Sequence, residues 1–276
     1  MNSNESAGVP SMIVDWPAPP AVRALCTLRG AGAGDGASAA PRAFFNLGDH
    51  VGDAPAAVAA NRARLRQAMG GARPVFMQQV HGAQVALLTG LTPDGGITAD
   101  AAVSAGRGLA CTVLVADCLP VLITNAAGTA VAAAHAGWRG LAGGVLEQTL
   151  QAFDALALAV SAPGAIDAGA AGLMAWLGPC IGPRAYEVGA EVREAFTASD
   201  AGAAACFQPR GAGKFLADLP ALARRRLAAR GVTRVFGNDG GSAWCTLEQP
   251  RRFYSYRRDQ AAHGASGRMA ACIWLA

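Results

Sequence analysis

His81, Cys118 and His135 each close an apolar run: Pro74 to Val80 leads to His81, Leu109 to Ala116 leads to Asp117 and Cys118, and Thr129 to Ala134 leads to His135. Two imidazoles and a thiolate form a donor set that zinc and copper both accept. Three protein ligands leave a fourth position open, which is the pattern of a catalytic zinc site and not of a structural one. Two His and one Cys are also the trigonal blue-copper set, for which Met77 offers an axial ligand. Without a metal, the same residues supply a Cys118 nucleophile, His135 as its base, and Asp117 or another carboxylate to orient the base. No paired CxxC motif is present to hold a metal locally, so each of these chemistries depends on the fold bringing three strand ends together.

The scaffold that must do this is legible as alternating elements. Leu109 to Ala116 is short, β-branched and nearly uncharged, as a strand buried on both faces should be. Pro120 is expected to break the ladder before Val121 to Thr124, and Asn125 to Gly128 carry turn chemistry before the run that ends at His135. Gly137 and Gly140 bracket Trp138 and Arg139, so a tight turn leaves an indole and a guanidinium available to a ligand. Leu141 to Phe153 then has helical spacing.

Upstream, FFNLGDHVGD sets Asn46, His50 and Asp53 among Gly48 and Gly52, which reads as a ligand loop; Asp53 is also expected to cap a helix from Ala54 to Met69. Ala155 to Ala171 is an Ala/Gly-rich connector. Trp176 to Pro183 runs from strand into turn, and Val188, Val192 and Phe196 mark a helix. A helix from Asp218 to Arg230 ends at Gly231, with strands expected at Val232 to Phe236 and Met269 to Leu275. No repeat or linker divides the chain. The expectation is a single α/β domain with a mixed sheet over residues 21–276, preceded by a disordered or extended segment, 1–20.

Composition narrows the function classes. A chain of 276 residues can bury a substantial core without disulfides. Its seven cysteines are odd in number and scattered, and the N-terminus lacks a basic region followed by an apolar one, so a reduced, cytoplasmic protein is expected. No apolar stretch is long enough for a membrane span. The net charge of +4 rests almost wholly on arginines. The Arg224 to Arg226 cluster shares a helical stretch with Leu219, Leu222 and Leu227, as a solvated face does, and no basic stripe with interleaved aromatics suggests nucleic acid. There are four histidines in all. One copper site would leave His50 and His263, too few for the adjoining cluster of a multicopper oxidase.

The segments QQVHG, TVLVADCLPVLI, AAAHAGWRG, LGPCIGP and YSYRRD, with NLGDHVGD upstream, occur in order between about Leu25 and Leu275. In this the chain resembles the YfiH-type laccase-domain family, also called polyphenol oxidase, peptidoglycan editing factor, or purine nucleoside phosphorylase with adenosine deaminase activity. The resemblance implies a layered α/β fold similar to that of cysteine-hydrolase toxins, and zinc at His81, Cys118 and His135. It also implies phosphorolysis of adenosine, inosine and methylthioadenosine, and deamination of adenosine. A copper polyphenol oxidase, or a peptidoglycan-precursor editing amidase using Cys118 and His135, are the alternatives it offers.

The sequence departs from the family pattern in a longer Ala155 to Ala171 stretch and in AAHGAS (Ala261 to Ser266), which separates YSYRRD from Ser266-Gly267-Arg268, where a Thr-Gly-Arg is usual. The physical chemistry agrees with the resemblance. Zinc with an open position lowers the pKa of its water to about 7, which suits deamination. Phosphorolysis needs an anion pocket, for which Arg139 and Arg257 offer charge and Asn46 and His50 hydrogen bonds. An H-x-E with P-C-x-x-C, the cytidine-deaminase signature, is absent.

Overall fold

Alternation along the strands decides what each face buries. In the computed structural model, which describes residues 8–93, 95–160 and 172–276, the first half of the chain forms β1 (Ser11–Met12), β2 (Val22–Thr27), α1 (Pro55–Ala68), β3 (Arg73–Val75), β4 (Val85–Leu88), β5 (Ala101–Ser104), β6 (Leu109–Val115), β7 (Leu119–Asn125) and β8 (Val131–Ala136). There follow α2 (Trp138–Ala142), α3 (Val145–Val160), β9 (Leu173–Leu177), β10 (Glu187–Gly189), α4 (Ala190–Thr197), β11 (Phe207–Gly211), β12 (Lys214–Ala217), α5 (Leu219–Ala229), β13 (Arg234–Gly237), α6 (Tyr256–His263) and β14 (Met269–Leu275).

The strands make a five-stranded sheet in the order β1-β2-β14-β6-β3, a six-stranded sheet β13-β9-β7-β8-β5-β4, and a three-stranded antiparallel sheet β10-β12-β11. The two larger sheets are mixed, each joining parallel and antiparallel pairs. Met269, Ala271 and Ile273 of β14 share an apolar cluster with Leu122 of β7, Ala133 of β8 and Trp176 of β9, so the two large sheets face each other. The alternate residues Ala270, Cys272 and Trp274 pack with Leu65 and Met69 at the α1 side. On the far face of the six-stranded sheet, Val121, Ile123 and Ala134 pack with Leu150 and Phe153 of α3 and Leu222 of α5. The result is four layers, helix, sheet, sheet and helices. Both large sheets are covered on both faces, which is why β6 and β14 read as continuous apolar runs.

Several local expectations need correction. Pro120 does not break the ladder: it lies within β7, opposite His135, at the second residue of the strand where a missing amide costs little. The expected helix from Leu141 to Phe153 is two helices, because Gly143 and Gly144 interrupt it and Gly144 has a φ of +91°. The connector starting at Ala155 is helical to Val160, and 161–171 lie outside the described residues. Asp53 does not cap α1; its carboxylate accepts from Asn46 Nδ2 at 2.8 Å, and Ala54 is the cap residue without a side-chain bond. Pro74 to Val80 is strand only as far as Val75, and Val188 is in β10 ahead of α4. Residues 8–10 precede a short strand, Ser11–Met12, that pairs with β2, so regular structure begins before Val22. As expected, Asp218 caps α5 by accepting from the Ala221 amide at 2.9 Å, and Gly231 follows its end at a φ of +80°. Among the described residues no helix is long and apolar enough to cross a membrane.

Candidate metal centre and active site

The three residues do converge, although His81 stands in the loop between β3 and β4 and not at a strand end. The Nε2 of His81, the Sγ of Cys118 and a ring nitrogen of His135 belong to one group whose ligand atoms all lie within 4.8 Å of one another. The Cys118 to His81 edge is 3.7 Å, the separation that Zn–S and Zn–N bonds of roughly 2.3 and 2.1 Å impose on two tetrahedral ligands. His135 is buried, Cys118 half-buried and His81 exposed, so the triangle is backed by protein on one side and open to solvent on the other. Donor type, spacing and the open side all suit a metal ion with a free coordination position.

Each of the three side chains is held by a different device. Cys118 follows Asp117, whose φ of +88° turns the chain sharply out of β6; a non-glycine residue in that region is uncommon and Asp is among those that tolerate it. The Asp117 carboxylate accepts from Thr246 Oγ1 at 2.6 Å and from the Arg257 amide at 2.7 Å, and its carbonyl accepts from the Ile181 amide at 2.9 Å. Asp117 therefore fixes the Cys118 turn and is not the group that orients His135. That group is Asp100, which composition and spacing did not reveal. Fully buried at the start of β5, its carboxylate accepts from His135 Nδ1 at 2.8 Å and from the amides of Val80, His81 and Gly82 at 3.1, 2.9 and 2.7 Å. One side chain thus fixes the tautomer and plane of one ligand and the backbone of another, as outer-shell carboxylates around metal-binding histidines commonly do.

His81 itself has a φ of +60°. Its loop is pinned from below by Gln79, whose amide pairs with the Leu114 backbone in both directions, at 2.9 and 2.7 Å. Two glycines clear the space. A Cβ on Gly137 would stand 2.8 Å from Cys118 Sγ and 3.0 Å from His81 Cδ2, and one on Gly140 would stand 2.7 Å from the Gly82 carbonyl. The glycines bracketing Trp138 and Arg139 thus allow α2 to lie directly against the ligand cluster.

Burial would push the Cys118 thiol up, but the charge and hydrogen bond of His135, with His81, outweigh it and bring it down to about 6. Burial would likewise lower His135, and the Cys118 thiolate and Asp100 outweigh it, raising it to about 9. The two side chains by themselves form a thiolate–imidazolium pair. A metal needs the same thiolate and takes the place of the imidazolium proton. For Asp100, burial is opposed by the bonds from His135 and the Gly82 amide, which hold the carboxyl below its ordinary range.

The other sequence candidates are in different states. Arg139 is exposed, stacked 4.5 Å over the Trp138 ring, with no carboxylate partner among the described residues. Arg257 is exposed; its Nη1 donates to the Glu187 carbonyl at 2.8 Å and it lies over Tyr186. His50 is exposed beside Asp49, and burial, followed by the Arg268 charge, lowers its pKa. Asn46 is fully buried and has no spare hydrogen-bonding capacity: it donates to the Gly48 carbonyl and Asp53 and accepts from the Gly48 and Arg268 amides. It organises the loop from within. Met77 packs into the apolar cluster between the sheets. Cavities of about 610, 620 and 860 Å³ occur elsewhere, and none is lined by the three ligands.

The family model described as multi-copper polyphenol oxidoreductase laccase matches residues 23–276. The chain is 48% identical over 262 residues to a protein of Pseudomonas aeruginosa named purine nucleoside phosphorylase, covering 95% of this chain and 96% of that one. It is 47% identical over 265 residues to the Escherichia coli purine nucleoside phosphorylase YfiH, covering 96% and 98%. Among solved structures it is similar to a Neisseria meningitidis protein, with a TM-score of 0.83 at 44% identity over 96% of this chain and 98% of that one. YlmD of Geobacillus stearothermophilus gives a TM-score of 0.78 at 28% identity over 93% and 92%.

Proposed function

This chain belongs to the YfiH-type laccase-domain family, and from that membership we propose that it is a zinc-dependent purine nucleoside phosphorylase acting on adenosine, inosine and methylthioadenosine, with adenosine deaminase activity at the same centre. The observation that carries the reading is the convergence of His81, Cys118 and His135 under the control of Asp100, in a chain nearly half identical, over almost its full length, to relatives named for this activity. The catalytic domain is taken as 21–276. Six of the seven free cysteines are buried and none is paired, which suits a reducing compartment such as the cytoplasm.

In phosphorolysis a phosphate oxygen bonds to the ribose C1′ as the C1′–N9 bond breaks, and the purine leaves carrying a proton. When bound, zinc supplies a Lewis acid with an open position at the mouth of the site. The chain's own groups do the rest. Asp100 holds His135 in one orientation; Arg139 and Arg257 bring positive charge to phosphate; and the Trp138 and Tyr186 rings lie beneath those guanidiniums at 4.5 and 5.2 Å. Zinc is favoured over copper because Met77 is committed to the core and the remaining histidines, His50 and His263, are both exposed.

The thiolate–imidazolium pair backed by Asp100 favours a second reading: an amidase editing peptidoglycan precursors, with Cys118 as nucleophile and His135 as base. The likeness to cysteine-hydrolase toxins belongs to that reading. The two readings differ in their need for phosphate. Purified protein given inosine is expected to release hypoxanthine and ribose 1-phosphate at a rate that rises with phosphate and falls to near zero without it. Hydrolysis of a muropeptide amide in phosphate-free buffer, with inosine left intact, would replace the phosphorylase with the amidase.

A further inference from the structure

Of the arginines whose charge bears on the centre, Arg139 and Arg257 are exposed, whereas Arg268 is half-buried. We propose that Arg268 is the residue that grips phosphate during phosphorolysis, and that the Asn46 to Asp53 loop serves to hold it in place; this rests on the phosphorylase reading above.

Its location follows from the sheet. The antiparallel register that sets Met269 opposite Val115 brings the preceding residue, Arg268, alongside Ala116, at the root of the Asp117–Cys118 turn. The stem is then fitted into the loop. The Asn46 Oδ1 accepts from the Arg268 amide at 2.8 Å, the Leu47 amide donates to the Arg268 carbonyl at 3.1 Å, and a Cβ on Gly48 would strike Arg268 Cγ at 2.8 Å. Three successive loop residues are thus shaped to one arginine. Behind them, Asn61 Nδ2 donates to the Asn46 carbonyl at 2.9 Å and Arg62 Nε to the Leu47 carbonyl at 3.0 Å, tying the loop to α1.

The guanidinium is oriented in turn. Its Nη1 donates to the carbonyls of Ser266 and Gly267, both at 3.0 Å, and its plane lies over the Tyr256 ring at 5.6 Å. Gly267 packs on the Tyr254 ring so closely that a Cβ there would sit 2.6 Å from it, so the turn that carries Arg268 is itself fixed. The Nε and Nη2 atoms have no hydrogen-bond partner among the described residues, and no carboxylate there forms an ion pair with Arg268. That free edge is the one with which Arg225, elsewhere in this protein, takes both oxygens of Asp200 at 2.8 and 2.7 Å.

A half-buried cation with an unused fork, beside an open metal-ligand cluster, is arranged to receive a bidentate oxyanion. Burial lowers its pKa while the negative charges of Cys118 and Asp117 oppose that, which sets it within their field. Burial, followed by the Arg268 charge, lowers the pKa of His50, which sets the histidine in the field of the same guanidinium. Arg139 and Arg257 then act at the rim.

Calorimetric titration of inorganic phosphate into the metal-loaded protein tests this, with phosphate KM, metal content and Tm measured alongside. Arg268→Lys keeps the charge and loses the fork; it is expected to weaken phosphate binding and raise the phosphate KM about 10- to 100-fold, with metal content and Tm unchanged. Gly48→Ala, which keeps the guanidinium but displaces its stem, should shift both in the same direction. The proposal is overturned if phosphate binding survives both substitutions while Arg139→Gln or Arg257→Gln abolishes it, or if Arg268→Lys sheds the metal together with phosphate, which would make the arginine a support of the centre. Wild-type protein that neither binds phosphate nor needs it to cleave inosine would remove the phosphorylase reading itself.

Discussion

Cys118→Ala is expected to give a folded protein that holds no stoichiometric metal and releases no purine from inosine. Cys118 is half-buried in a turn and belongs to none of the apolar clusters, so deleting its sulfur opens little cavity, and the loss of stability should be limited to what the bound metal and the Cys118–His135 pair contribute. The ligand set, by contrast, falls from three to two imidazoles, without the thiolate that distinguishes this site. The substitution also removes the negative charge that raises His135. Elemental analysis and a melting curve on the same sample separate these effects. Metal retained at the wild-type level would mean that Cys118 is not a ligand.

Asp100→Ala should be costly in both stability and metal affinity. It deprives His135 Nδ1 and the amides of Val80, His81 and Gly82 of their acceptor at once, and breaking a buried, hydrogen-bonded charge pair typically costs about 3–5 kcal/mol. At about 2–4 °C per kcal/mol for a domain of this size, Tm should fall by roughly 6–20 °C. Metal affinity should fall by about 10- to 100-fold, as it does when the partner of a metal-binding histidine is removed. Asp100→Asn, which keeps one acceptor oxygen but turns an amide donor toward backbone N–H groups, should lie between. A variant that melts within 2 °C of wild type and keeps its metal would show that the carboxylate holds neither ligand.

Cys118 and His135 were legible because each borders a strand buried on both faces, which leaves an apolar run intact in the sequence, whereas His81 stands in the loop beyond β3, past a run of which only Arg73–Val75 is strand. Asp100 obeys the same rule but precedes only Ala101–Ser104, a strand too short and too alanine-rich to announce itself. The left-handed turn at Asp117 has no sequence signature at all, since nothing in ADCLP distinguishes a strained aspartate from a relaxed one. The β11–β12 hairpin, FQPRGAGKFLA, carries no plain strand signal, because its turn is built from Gly211, Ala212 and Gly213 at positive φ and its first strand contains Pro209. Helix α6 was hidden for the opposite reason: YRRDQAAH buries only Asp259 and so has no apolar stripe. Asn46 stands out in the sequence by its glycine-rich setting, yet its amide is wholly spent inside the protein. Arg268 becomes visible only when β14 is set beside β6.

The most direct test of the central claim is a chelator titration of the purified protein in which bound metal per chain and phosphate-dependent hypoxanthine release from inosine are followed together. The account predicts about one zinc per chain at the start, and activity that falls in proportion to the zinc removed and returns when zinc is added back. Full activity in protein stripped of metal, or stoichiometric copper with a strong visible thiolate band, would contradict it.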